Sequence, residues 1–151
     1  MIKGRILYDV TKASRQRQKS GIARVSSCLR RELKALLGDS LVEVVWDEKN
    51  KAFRRREKST DLQLDANDVL LTCELFCEYE RRGIERFLQE SPCLSYAIFH
   101  DAIPLQHPEF TWPHSVQRHP SYMKMLALFS GVLRCPVTVQ FFWRNIGSGL
   151  I

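Results

Sequence analysis

The sequence predicts an α/β domain with a mostly parallel sheet and flanking helices. Short apolar, β-rich runs recur at 5–10, 41–46, 68–72 and 93–99, and helix-period stripes or polar linkers separate them. The chain of 151 residues is 44% hydrophobic and 26% charged, the balance of a soluble globular domain. At this length folding buries roughly two-thirds of the unfolded surface, so a real core needs neither disulfides nor metal.

Each element follows from local pattern. In the first run Ile6, Leu7, Tyr8 and Val10 show no helical period and read as a buried strand. Residues 11–21 are polar and basic, a loop that ends in Ser20-Gly21. Beyond it Ile22, Val25, Leu29, Leu33, Leu36 and Leu37 recur every three or four positions. They form one helical stripe, with Arg24, Arg30, Arg31 and Lys34 off it, and Gly38 ends the helix. A second strand spans 41–46. The charged stretch 47–61, with Arg54, Arg55 and Arg56 in succession, reads as a solvated loop. A third strand at 68–72 precedes a helix at 78–89 that turns Ile84, Phe87 and Leu88 inward. Ser91-Pro92 breaks that helix before the strand at 93–99. A loop rich in proline and histidine is expected at 106–120, and a further helix at 122–133.

The formal charge is +6, with a pI near 9.2, which favours an anionic partner: nucleic acid, a phosphorylated metabolite or an acidic membrane surface. The basic stretch 12–19 lacks the interleaved aromatics that stack bases, so it reads as a solvated loop at the mouth of a cleft, and nucleic acid is disfavoured. Cys28, Cys73, Cys77, Cys93 and Cys135 are scattered and read as reduced, buried structural thiols. No zinc spacing accompanies them, and His107, His114 and His119 match no metal pattern either, so they are taken as surface or loop-packing residues and no metal is expected. No apolar run reaches the ~18 residues of a membrane span. The first nine residues lack an export-signal core, and a cytoplasmic location is expected.

Ligands of parallel α/β sheets bind beyond the carboxyl ends of the strands. Two segments lie there. Ser20, Gly21, Ile22 and Arg24 open the first helix, whose N-terminal N–H groups and dipole attract phosphate or carboxylate. The plainer alternative is a helix capped by Ser20 with a turn glycine. His100 and Asp101 end the fourth strand. There an imidazole can serve as acid, base or hydrogen-bond donor, with Asp101 orienting it or capping the next segment. The alternative is a histidine that satisfies local backbone groups.

Together these segments resemble the retaining glycosyltransferases of the group 1 type (family 4, GT-B architecture). Leu7-Tyr8-Asp9-Val10-Thr11, a basic loop, and Ser20-Gly21-Ile22-Ala23-Arg24-Val25 are similar to that family's opening strand and [T/S]-G-I-x-R-[V/Y] helix start. Phe99-His100-Asp101-Ala102-Ile103-Pro104-Leu105-Gln106-His107-Pro108-Glu109-Phe110 resembles its H-D-x-I-P-L-x-H-P-E-[FY] segment. The resemblance covers residues 5–133 and implies the acceptor-side, Rossmann-like N-terminal half of a two-domain enzyme. It places Gly21 and its neighbours near donor phosphates or acceptor, and His100 near the transferred sugar. Partners implied are a nucleotide-sugar and a glycan or lipid-linked acceptor, with no cofactor or metal held by the fold. Residues 134–151 depart from the family pattern, so the expectation is a truncated or frameshifted product, inactive alone, or a subunit completed in trans by a separate donor-binding domain. The rival class is a non-catalytic basic α/β module that binds nucleic acid or a phosphorylated ligand.

Overall fold

A computed structural model describes residues 4–15, 21–57 and 62–134. Among the described residues six strands form one sheet in the order β3-β2-β1-β4-β5-β6. They are β1 (Ile6–Asp9), β2 (Leu41–Asp47), β3 (Ala52–Arg55), β4 (Val69–Thr72), β5 (Leu94–Phe99) and β6 (Gly131–Arg134). All neighbours run parallel except β2 and β3. Helix α1 (Gly21–Leu37) crosses from β1 to β2, α2 (Ile84–Glu90) from β4 to β5, and α3 (Ile103–Gln106) with α4 (Pro113–Leu126) from β5 to β6. The domain is therefore α/β and Rossmann-like, as the strand-and-helix alternation predicts. The chain goes one way from β1 to β2 and returns to the other side of β1 as β4, which puts the switch in strand order between β1 and β4.

Strand alternation sorts side chains onto two faces. Tyr8, Val10, Leu41 and Val45 meet Leu29, Leu33 and Leu37 of α1 on one face. Leu7, Val44, Trp46 and Leu70 meet Ile84 and Leu88 of α2, and Tyr122, Met125 and Leu126 of α4, on the other. Tyr8 also reaches across its layer, donating to the Ser26 carbonyl at 2.8 Å and so fixing α1 over β1. At the opposite strand end Arg5 grips Asp68, its backbone N–H and its Nε both 3.0 Å from Oδ1. Those bonds hold the Asp68 carboxyl down at about 2.

Helix α2 begins at Ile84, six residues later than the helix expected from 78, with turns over 78–83. Three further boundaries differ from expectation. The charged stretch 47–61 contains β3, which pairs antiparallel with β2. The Asp47 carboxylate accepts the N–H of Lys49 at 2.9 Å and turns the chain, with Lys51 at φ +51°. One inward residue then decides the matter: Phe53 packs edge-on against Trp46 at 5.2 Å and Phe87 at 5.4 Å. The flanking cations are paired, Arg54 with Asp47 and Arg56 with Glu43. Second, helix α4 begins at Pro113, inside the expected loop. Proline is tolerated in a first helical turn, and buried His119, Tyr122, Met125 and Leu126 supply the core stripe, while Pro120 sits on the exposed side. Third, residues 131–133 belong to β6, not to a helix. A Cβ at Gly131 would lie 2.6 Å from the Tyr96 ring, so a larger residue there would force that ring to shift.

The thiol expectation holds for Cys73, Cys77 and Cys93, whereas Cys28 is exposed on α1; Cys135 and the rest of the atypical tail lie outside the described residues. Among the described residues no helix is long and apolar enough to cross a membrane. Because Phe53 completes the aromatic trio, Phe53→Ala is expected to lower stability by about 3–5 kcal/mol, read from urea unfolding monitored by Trp fluorescence.

Candidate functional site

The carboxyl ends of β1 and β4 hold a buried polar cluster. Asp9, the last residue of β1, is fully buried, and Arg81 and Glu74 are 2% and 6% exposed. Arg81 Nη1 donates to Asp9 Oδ2 at 2.6 Å, and its Nη2 donates to Glu74 Oε2. The guanidinium lies over the Phe76 ring, 3.8 Å from its centroid. Thr72 completes the Asp9 shell through Oδ2 at 2.8 Å, and Thr11 through Oδ1 at 2.6 Å. One cation thus ties two strand ends across the switch in strand order.

Glu74 passes that order on to the loop after β1. Its carboxylate accepts the backbone N–H groups of Lys12 and Ala13 at 2.8 and 2.9 Å. Burial and the nearby Asp9 charge outweigh Arg81 and these amides, so the Glu74 carboxyl is pushed up to about 7. Lys12 Nζ donates to Glu80 Oε1 at 2.9 Å and to the Leu75 carbonyl. Arg118 of α4 reaches the same Glu80 oxygen at 3.3 Å. Burial opposes the Glu80 charge, but Lys12, Cys77 and Arg118 prevail and hold its carboxyl below the ordinary range.

These residues line a cleft of about 350 Å³. Its walls are the loop residues Lys12, Ala13 and Arg15, the first turn of α1 at Ile22 and Ala23, and Glu74, Glu80 and Arg118 opposite. The cleft sits where a parallel sheet is expected to bind ligand. Lys12, Arg15 and Arg118 share its lining with Glu80, whose carboxyl is held ionised, and with Glu74, whose raised carboxyl carries less charge, so the lining is mixed rather than uniformly positive.

The expected site residues fall differently around it. Ile22 lines the cleft, Gly21 is exposed at the start of α1, and Arg24 is exposed and outside the lining. Ser20 lies outside the described residues, as does half of the basic stretch, 16–19. His100 is buried and outside the lining; its ring Nε2 lies 2.8 Å from the Cys73 carbonyl and so donates to it. It therefore satisfies a backbone group of the adjacent strand end, the plainer of its two readings. Asp101 caps the turn into α3, its Oδ1 accepting the Ile103 N–H at 3.1 Å. His119, expected on the surface or in a loop, is instead buried on α4, where the helical stripe carries it into the core. No group of His, Cys, Asp and Glu suited to a metal ion occurs among the described residues.

Asp9, Glu74, Glu80, Arg81 and Arg118 were not legible as a group. The available signal was positional: Glu74 lies just past the end of β4, at the switch. Comparison with family models, known proteins and solved structures found no match.

Two substitutions probe the cluster. Arg81→Met is expected to cost about 3–5 kcal/mol in denaturant unfolding, because Asp9 and Glu74 then lose their buried partner. The raised Glu74 carboxyl means that the folded state binds its proton more tightly than the unfolded state. Its stabilising contribution is whole below the unfolded value near 4.5 and is lost as pH rises through about 7. Glu74→Gln should flatten the fall in unfolding free energy across that window, as read from urea titrations at successive pH values.

Proposed function

We propose that this chain is the acceptor-side domain of a glycosyltransferase of the group 1 kind. It holds a hydroxyl-rich acceptor in the cleft at the switch in strand order, and a donor-binding domain beyond these residues presents the nucleotide-sugar. The observation that supports this reading most is the mixed charge of the cleft. Glu74 and Glu80 face Lys12, Arg15 and Arg118 around one space. Carboxylates accept from hydroxyls and guanidinium or ammonium groups donate to them, so such a wall suits a neutral polyol. A polyanion meets the ionised Glu80 carboxylate there, which disfavours nucleic acid despite the +6 formal charge. The first turn of α1, at Ile22 and Ala23, adds a positive dipole end at the rim, the side from which a donor diphosphate would approach.

In this role the chain positions and does not by itself react. Lys12 and Arg118 keep Glu80 ionised, and the Glu74 bonds to the Lys12 and Ala13 amides keep the loop wall in place. The test is binding by amide NMR, using methyl α-D-glucopyranoside, methyl α-D-mannopyranoside, UDP-glucose and a single-stranded RNA. Millimolar glycoside should shift Ile22, Ala23 and Arg118, and Glu80→Gln should weaken that binding about tenfold. No sugar transfer is expected from the chain alone. Tight RNA binding in 150 mM salt without any glycoside response would replace this reading with the phosphate-binding module.

A further inference from the structure

A second, much smaller cavity of about 10 Å³ lies beside the cleft, against His119 and Tyr122 of α4. Leu75, Glu80 and Arg118 line both spaces, so the two share a wall. Its size is that of one water-sized group. Two polar atoms in its lining residues are unsatisfied: His119 Nε2 and Tyr122 Oη are buried without a hydrogen-bond partner. Their side chains are only 4% and 5% exposed. Folded proteins leave few such groups unpaired, and the pair stands apart from the Asp9–Arg81–Glu74 cluster.

The chemistry of the two atoms is complementary. His119 bonds to the Asp101 backbone in a way that favours its protonated form, so the ring donates there. Because Nε2 has no partner, the donor is Nδ1, and burial holds the ring below the ordinary histidine range. Nε2 of the neutral ring therefore presents a lone pair. Burial lifts the Tyr122 phenol well above its ordinary value, so it keeps its proton and donates. A group that accepts from one and donates to the other through a single oxygen is a hydroxyl. An anion meets the imidazole lone pair and the Glu80 carboxylate, and an ammonium ion meets Arg118.

We propose that this cavity is an inner subsite of the cleft, where Tyr122 donates to, and His119 accepts from, one hydroxyl of a bound polyol. The proposal rests on the reading of the cleft as the seat of a hydroxyl-rich acceptor. It is tested on the full chain by titrating methyl α-D-glucopyranoside and methyl α-D-mannopyranoside into wild type and Tyr122→Phe, following imidazole 15N shifts and melting temperature. A glycoside should move the His119 Nε2 resonance, and Tyr122→Phe should weaken binding about tenfold. The melting temperature should hold, because the hydroxyl bonds nothing in the free protein. If glycosides shift the Ile22 and Ala23 amides while the His119 ring and the Tyr122→Phe affinity stay unmoved, the cavity holds only a trapped water. The subsite is then wrong and the cleft reading stands. If no glycoside shifts any of these groups, the cleft reading fails and the subsite with it.

Discussion

The arrangement depends on one buried guanidinium. Arg81 joins the end of β1 to the segment just past β4 by bonding Asp9 and Glu74 at once. Three formal charges in a space closed to water would be ruinous singly. Together they are tolerable because each carboxylate has further donors: Thr11 and Thr72 for Asp9, the Lys12 and Ala13 amides for Glu74. The position matters more than the energy. In a parallel sheet the two strands at a switch in order diverge in their onward connections, which opens a crevice between them. Arg81 bridges those two strand ends, and Glu74, which it bonds, lines the open cleft.

From that floor outward, each contact fixes the next. Glu74 sets the backbone course of the loop, and the loop places Lys12 against Glu80. Glu80 receives Arg118 from α4, which belongs to the crossover between β5 and β6. Tyr8, one residue before Asp9, reaches the opposite layer and secures α1 through Ser26. The cleft therefore has walls drawn from three separate crossovers, all indexed to two adjacent strand ends.

Much of the architecture was legible because parallel strands and their crossovers have strong local signatures. The runs containing Leu7, Val44, Leu70 and Ala97 are short and apolar, and the α1 stripe from Ile22 to Leu37 has unmistakable period. β3 escaped because only Phe53 among charged neighbours carries its packing, and a single inward residue makes no periodicity. The first turns of α4 escaped because Pro113 and Pro120 read as breakers, although one sits in the first turn and the other faces solvent; only its end, from Tyr122, was expected to be helical. For the site, the sequence pointed to the strand ends where the cleft lies and to Ile22 in its lining, whereas His100 is outside that lining. Strand-end position does not say which way an imidazole turns, and His100 spends its Nε2 proton on the neighbouring Cys73 carbonyl. The Asp9–Arg81–Glu74 cluster spans residues far apart in the chain, and only the fold brings them together.

The loop clamp has a consequence for how this cleft can diversify. Glu74 holds residues 12 and 13 through main-chain N–H groups, which every amino acid but proline possesses. The path of the loop is thus largely indifferent to what side chain stands at 15, where Arg15 now faces the cleft. Exchange at that position alters what the pocket prefers while leaving its scaffold alone, a separation of selectivity from foldedness that suits a domain to divergent ligands.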